Sequence, residues 1–207
     1  MNAGAAAARG DILGFVSPHV TGASPGWLEE IVAALWRPGV GVAGGKTVLG
    51  EKRTVAHAGY LADCSGKLGP LFRGAGADES CYFGWNLLPR TVLAMDGLFL
   101  FTRAADFAHA DGLDPAMGAW APQDYCLRLG EAGLRSVWWP FARLFATSHA
   151  ARGERGAPAA FSTRWAGHLA PFNQNLRIDG KGFALCGAQG SSPAPAATPA
   201  AEPPERC

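Results

Sequence analysis

Ala121-Pro122-Gln123-Asp124-Tyr125-Cys126-Leu127-Arg128-Leu129, followed after Gly133 by Leu134-Arg135-Ser136-Val137-Trp138-Trp139-Pro140, is the stretch whose reading decides the fold. Cys126, Leu127, Leu129 and Ala132 recur at helical spacing, so a helix is predicted from Gln123 to Ala132, ending at Gly133. Leu134 to Trp139 is rich in aromatic side chains and reads as a strand ended by Pro140. A helix that runs straight into a strand points to the α/β class. It also places one acid, Asp124, in a first helical turn, where the helix dipole favours negative charge.

Working outward, the same alternation continues. Asp11 to Val16 is a short apolar run that stops at Ser17-Pro18, as a buried strand ending in a loop would. Ser24-Pro25-Gly26-Trp27-Leu28-Glu29-Glu30 supplies a capping residue, a proline for the first helical position and early acids, so a helix is predicted from Pro25 to Trp36. Val40 to Lys46 and Val55 to Leu61 read as strands, and Asp63 to Pro89 has no clear period. Arg90 to Arg103 reads as a buried strand interrupted by Asp96-Gly97, and a charge inside so apolar a run demands a partner. Phe161 to Leu169 fits a short helix. From Gly187 on, five prolines and six alanines in 21 residues offer almost nothing bulky to bury, and a disordered tail over 187–207 is expected after a single domain over 1–186.

A chain of 207 residues with 48% hydrophobic side chains can bury one substantial core. Its 18 Lys and Arg against 17 Asp and Glu leave a net charge of +1, which gives no electrostatic footprint for nucleic acid or an anionic membrane. No apolar run approaches the ~20 residues that span a bilayer, and the Ala-rich start lacks a signal-peptide core, so a cytoplasmic protein is expected. Five scattered cysteines without a C-x-x-C pair are expected to be reduced, structural thiols. The glycine-containing stretches 39–45 and 66–76 lack the spacing of a phosphate-binding loop.

Several segments, taken in order, resemble the family 2 glycosyltransferases of the GT-A fold, especially the bacterial branch that builds rhamnose-containing or O-antigen-type glycans of the cell envelope. Asn2 to Asp11, then Ile12 to Val16, then Pro25-Gly26-Trp27-Leu28-Glu29-Glu30 resemble that family's N-x-G-x-A-x-A-x-G-D, its apolar strand and its P-x-W-L-E-x-L. Val55-Ala56-His57-Ala58-Gly59 resembles its H-A-G segment, Val92 to Arg103 its T-G-A-x-x-L-x-R strand, and Gly112-Leu113-Asp114 its G-F-D. Gln123 to Leu129 with Gly133-Leu134-Arg135 resembles E-D-x-D-L-C-x-R-L-x-x-A-G-Y-R, and Ser148-His149 and Phe172-Asn173-Gln174-Asn175-Leu176 resemble H-x-x-S and Y-Y-N-P-N-L. The resemblance covers about residues 2–185. It implies a GT-A-like mixed sheet flanked by helices, lacking the first nucleotide-binding βαβ half that precedes these segments in the family.

The resemblance further implies inverting transfer of a sugar from a nucleotide-sugar donor to a glycan or lipid-linked acceptor. Asp124 would be the base that takes the acceptor proton, or else only an early helix acid, with Gln123 standing where the family often has a second acid. Asp96, Gly97, Gln123 and Trp120 would face the acceptor, Asp96 reaching a sugar or else a backbone turn. Trp85, Trp120, Trp138 and Trp139 could stack on sugar faces or pack in the core. The family's Mn²⁺ or Mg²⁺ would have to manage with Ser17-Pro18-His19 in place of D-x-D, leaving His19 and His149 as ligands. His57 and Lys46 read as structural. Three readings stay open: a transferase with little activity as an isolated chain, acting in the cytoplasm or at the inner membrane; a degenerate, non-catalytic binding or scaffold domain; and a fragment whose donor-binding residues lie upstream or on a separate polypeptide.

Overall fold

At the centre of the molecule lies a strand that only glycines allow. Val40–Leu49 (β3) is buried along nearly its whole length, and a Cβ on Gly44 would stand 2.7 Å from the Phe99 carbonyl oxygen while one on Gly45 would stand 2.6 Å from that of Ala142. The computed structural model describes residues 1–147, 156–169, 176–179 and 182–185. Around β3 the main sheet gathers Ile12–Val16 (β1), Val20–Ala23 (β2), Thr54–Val55 (β4), Arg90–Val92 (β7), Phe99–Arg103 (β8) and Arg135–Ala146 (β9). Its order is β1-β8-β3-β9-β2, with β4 on the end of β3 and β7 beside β9. Among the described residues of this sheet only the β3–β9 pairing is parallel. Tyr60–Ala62 (β5) and Leu68–Pro70 (β6) form one small hairpin, and Leu176–Asp179 (β10) and Gly182–Leu185 (β11) another.

Helices cover both faces. Trp27–Leu35 (α2) buries Ile31, Ala34 and Leu35 against Val40, Ala43, Phe99 and Val137. The opposite face carries Ala104–His109 (α3), Ala121–Glu131 (α4) and Ala159–Leu169 (α5), and its core joins Val42, Leu100, Tyr125, Trp138, Phe161 and Trp165. A short helix at Asn2–Ala7 (α1) buries none of its residues. The expected mixed sheet flanked by helices is therefore present. Among the described residues no helix is long and apolar enough to cross a membrane.

Several boundaries differ from expectation, each for a local reason. The helix predicted from Pro25 begins at Trp27, with Gly26 in a left-handed conformation (φ 70°) at its N-cap. Ser24 is committed to β9 instead: its amide donates to Arg143 O at 2.9 Å and its hydroxyl accepts from Arg143 N at 3.1 Å. Burying Ile31 and Leu35, about 1.5–3 kcal/mol each, outweighs the ~1 kcal/mol of a side-chain cap. The strand predicted over Val55–Leu61 breaks into β4 and β5 because Gly59 turns at φ 86°. The strand predicted to end at Pro140 continues to Ala146: its pairing with β3 jumps from Trp139–Gly45 to Arg143–Lys46, and Pro140 falls in the bulge, where a missing N–H breaks no ladder. Cys81 and Cys126 are free thiols, but Cys64 is disulfide-bonded, which corrects the expectation for that residue. Ser148, His149, residues 170–175 and the tail over 187–207 lie outside the described residues.

Candidate functional site

A cavity of about 830 Å³ opens where the end of β1, the turn between β7 and β8, the segment Leu113–Ala119 and the start of α4 meet. The sheet sets this meeting point. Ser17, just past β1, donates its amide to Leu98 O at 2.9 Å, so the β1 loop and the Asp96 turn are carried side by side. Gly97 lets α4 approach: a Cβ there would stand 3.3 Å from Cγ of Pro122.

Asp96 is the best-organised polar group of the cavity wall. It is 8% exposed, and its Oδ1 accepts both the Leu98 amide at 2.9 Å and Nε2 of His57 at 3.0 Å. His57 is itself oriented, because its Nδ1 accepts the Gly59 amide at 2.9 Å. An Nδ1 that accepts carries no proton, so the imidazole is neutral and turns Nε2–H toward the carboxylate. The backbone supports this arrangement: Tyr60 N donates to Ala94 O, and Leu93 N to Tyr60 O, both at 2.9 Å, which locks the His57–Tyr60 segment beside the Asp96 turn. Gly59 is required there, since a Cβ would stand 2.5 Å from Cγ1 of Val92. The Tyr60 phenol, also on the cavity wall, is held protonated by burial and secondarily by the negative charge of Asp96.

Asp124 stands elsewhere. It has no exposed surface and does not line the cavity. Its Oδ2 accepts from Arg128 Nε at 2.8 Å, and its Oδ1 from Arg164 Nη1 at 2.9 Å and Trp165 Nε1 at 3.0 Å. Arg164 also pairs with Asp114 at 2.8 Å, and Arg128 donates to the carbonyls of Ala110 and Gly112. The carboxylate expected to act as base is thus the hub that fastens α5 to α4, its lone pairs directed at cationic and indole donors.

Of the residues singled out from sequence, the fold brings His19, Asp96, Gly97 and Gln123 to one cavity. Gln123 is buried, and its Oε1 has no hydrogen-bond partner among the described residues. Trp120 instead lines a second cavity of about 610 Å³ with Tyr60 and Arg73, packing on Phe161 with ring centroids 4.9 Å apart. Trp138 and Trp139 are buried and serve the core. Lys46, read as structural, is a buried tie: its ammonium donates to Ala77 O and Asn86 O at 2.7 Å each, and burial lowers its pKa to about 8. His57, also read as structural, is the residue the sequence concealed, because nothing in its spacing signals Asp96.

The described residues do not fit a divalent cation. Among them no three His, Cys, Asp or Glu side chains converge. His19 is exposed, Ser17 Oγ is engaged by the His19 amide at 3.3 Å, and His149 lies outside the described residues.

No family model matches the chain. It is 30% identical over 199 residues to the uncharacterized protein y4gI of Sinorhizobium fredii, covering 89% of this chain and 22% of that protein. It is 30% identical over 155 residues to the O-antigen biosynthesis protein RfbC of Myxococcus xanthus, covering 74% of this chain and 12% of that protein. The chain thus spans about a fifth or less of the length of these curated relatives. Among solved structures it resembles the crystal structure of GalNAc-T7 with UDP, GalNAc and Mn²⁺, with a TM-score of 0.52 and 16% identity over 73% of this chain and 30% of that one. The chain therefore has a glycosyltransferase-like fold of the GT-A type and is similar in sequence to part of an O-antigen biosynthesis protein.

Proposed function

We propose that this chain supplies the acceptor side of a family 2-type glycosyltransferase, which moves a sugar with inversion from a nucleotide-sugar donor to a glycan or lipid-linked acceptor of envelope polysaccharide. The observation that carries the reading is the cavity beside α4, which gathers Asp96, Gly97, Gln123 and His19 in a GT-A-type fold. A pyranose presents hydroxyls that both donate and accept, and a carboxylate, an amide and a phenol on one wall match that pattern. Asp96 and Gln123 orient the acceptor hydroxyl. Ala121 and Pro122 give the apolar ground against which a sugar C–H face packs.

Mn²⁺ accompanies UDP in the GalNAc-T7 structure. A cation in this protein would draw on His19 and His149, and no step is assigned to it. Asp124 belongs to the architecture of the site as folded: to act as base it would have to exchange Arg164 and Trp165 for an acceptor hydroxyl.

A second reading, a binding domain without turnover, is favoured by that same commitment of Asp124 to ion pairs. Titrating the purified protein with UDP- and dTDP-sugars, with and without Mn²⁺, and following sugar transfer to glycan acceptors separates the two. Transfer supports the first reading. Acceptor binding without donor binding at millimolar concentration supports the second.

A further inference from the structure

We infer that the second cavity, lined by Trp120 and Arg73, takes a sugar ring that carries an anionic group, a carboxylate or a phosphate, so that the glycan on the acceptor side is acidic. The inference rests on the acceptor-side reading above. The cavity measures about 610 Å³, within the roughly 300–1,000 Å³ of small-molecule sites. Part of its wall is apolar. Trp120 lines it together with Phe161, Trp165 and Leu169 of α5, and Trp165 spends its only side-chain N–H on Asp124 Oδ1 at 3.0 Å. Such a wall suits the C–H face of a pyranose.

The polar part is cationic. Arg73 lines the cavity, and its Nε and Nη2 are buried donors with no hydrogen-bond partner among the described residues. These two nitrogens share one edge of the guanidinium, so their N–H groups run parallel. A single hydroxyl answers only one of them, whereas a carboxylate or a phosphate meets both with two oxygens. Leaving both unmet in a buried position is costly. Lys67, which is exposed, adds a second cation to the lining. Asp63, the acid of the described lining, is turned into its own loop: its Oδ1 accepts from the Ser65 amide at 2.9 Å, the Ser65 hydroxyl at 2.6 Å and the Lys67 amide at 3.0 Å. Tyr60 joins the two cavities. It lines both, and Gln123 of the first and Arg73 of the second lie within side-chain hydrogen-bonding reach of its phenol. Two linked rings can thus lie on either side of Tyr60, the reacting one at Asp96 and Gln123 and the acidic one at Arg73.

The test is calorimetric titration of the protein as encoded. The probes are a glucose–glucose disaccharide, the same disaccharide with one ring oxidised to glucuronate, the disaccharide phosphorylated on that ring, and inorganic phosphate. One acidic disaccharide should bind about 10–100-fold more tightly than the neutral one, the range of hydrogen bonds to charged groups, and which of the two it is names the anion. Arg73→Gln should melt within a few degrees of the parent and bind that probe no better than the neutral disaccharide, whose own affinity stays unchanged. Arg73→Lys, which keeps the charge but not the fork, should retain only part of the preference. Ala166→Trp, at an exposed position of α5 in the same lining, should fill the cavity and abolish the preference without touching Arg73 chemically, which covers an Arg73→Gln variant that fails to fold. Equal affinity for the neutral and both acidic disaccharides overturns the inference, as does a preference that survives these substitutions. Inorganic phosphate that binds as tightly as the acidic sugars reduces the site to one for a free anion and also overturns it. Parent protein that binds no disaccharide of any kind at millimolar concentration defeats the acceptor-side reading itself, so the two failures are told apart.

Discussion

Asp96 and Asp124 are both buried carboxylates beside the start of α4, yet they are held in opposite ways. Asp124 sits between two guanidinium groups and an indole N–H and faces no cavity. Asp96 is held at one oxygen by an imidazole and an amide, at a cavity wall. The difference teaches that the partners of a buried acid say more about its role than its burial does. A charge offset by cations ties elements together, as Asp124 ties α5 to α4, whereas Asp96, aligned by His57 and the Leu98 amide, stands at a cavity wall.

The largest expected way to break this comparison is kinetic: Asp96→Asn keeps an acceptor for the Leu98 amide and His57 but removes a carboxylate from the cavity wall, and should raise the acceptor KM in sugar-transfer assays about tenfold. Next is stability. Asp124→Ala leaves Arg128 and Arg164 without their shared carboxylate and should cost about 3–5 kcal/mol in urea unfolding, toward the lower end because Arg164 is 41% exposed and keeps Asp114. Asp96→Ala removes the acceptor of the Leu98 amide and of His57 Nε2 and should cost about 1–3 kcal/mol. If the two variants unfold at the same urea concentration, the division between anchoring and cavity-facing carboxylate is wrong.

A third, smaller effect probes what aligns His57. Gly59→Ala puts a side chain at φ 86° and against Val92. It should cost about 1–3 kcal/mol and shift the His57 ring resonances in NMR, and unshifted resonances would show that the Gly59 turn does not position the ring. The smallest effect concerns pH. Lys46, with its pKa lowered to about 8 by burial, binds its proton less tightly folded than unfolded. Between about pH 8 and the ordinary lysine value the unfolded chain therefore holds the extra proton, and stability should rise with pH across that window. Lys46→Met, compared by urea unfolding at pH 7, 8, 9 and 10, should lose that rise.

Much of the fold was legible in the order of elements. The apolar run of β1, the glycine-rich β3 and the helical spacing of α4 are local patterns, and each appears close to its expected place. Boundaries failed where a distant partner intervened: Ser24 gave its hydroxyl to β9, and Pro140 was absorbed by a bulge against β3. The fold brings Asp96, Gly97 and Gln123 to one cavity wall; Asp96 stood out in the sequence as a charge in an apolar run, whereas Gly97 and Gln123 were singled out only through the family resemblance. Neither the His57–Asp96 pair nor the Asp124 hub was legible, since Asp124 meets Arg164 across 40 residues and Trp165 across 41.

The amino-acid sequence by itself determined the main alternation of β1, α2, β3, α4, β9 and α5 and that these assemble as an α/β domain, because periodicity and turn chemistry act over a few neighbouring residues. Only the tertiary structure decided which aspartate is offset by arginines and which is left to face a cavity. Solvation and pairing of a charge depend on side chains that sequence distance does not bring together, and here those side chains come from α5 for Asp124 and from the Gly59 turn for Asp96.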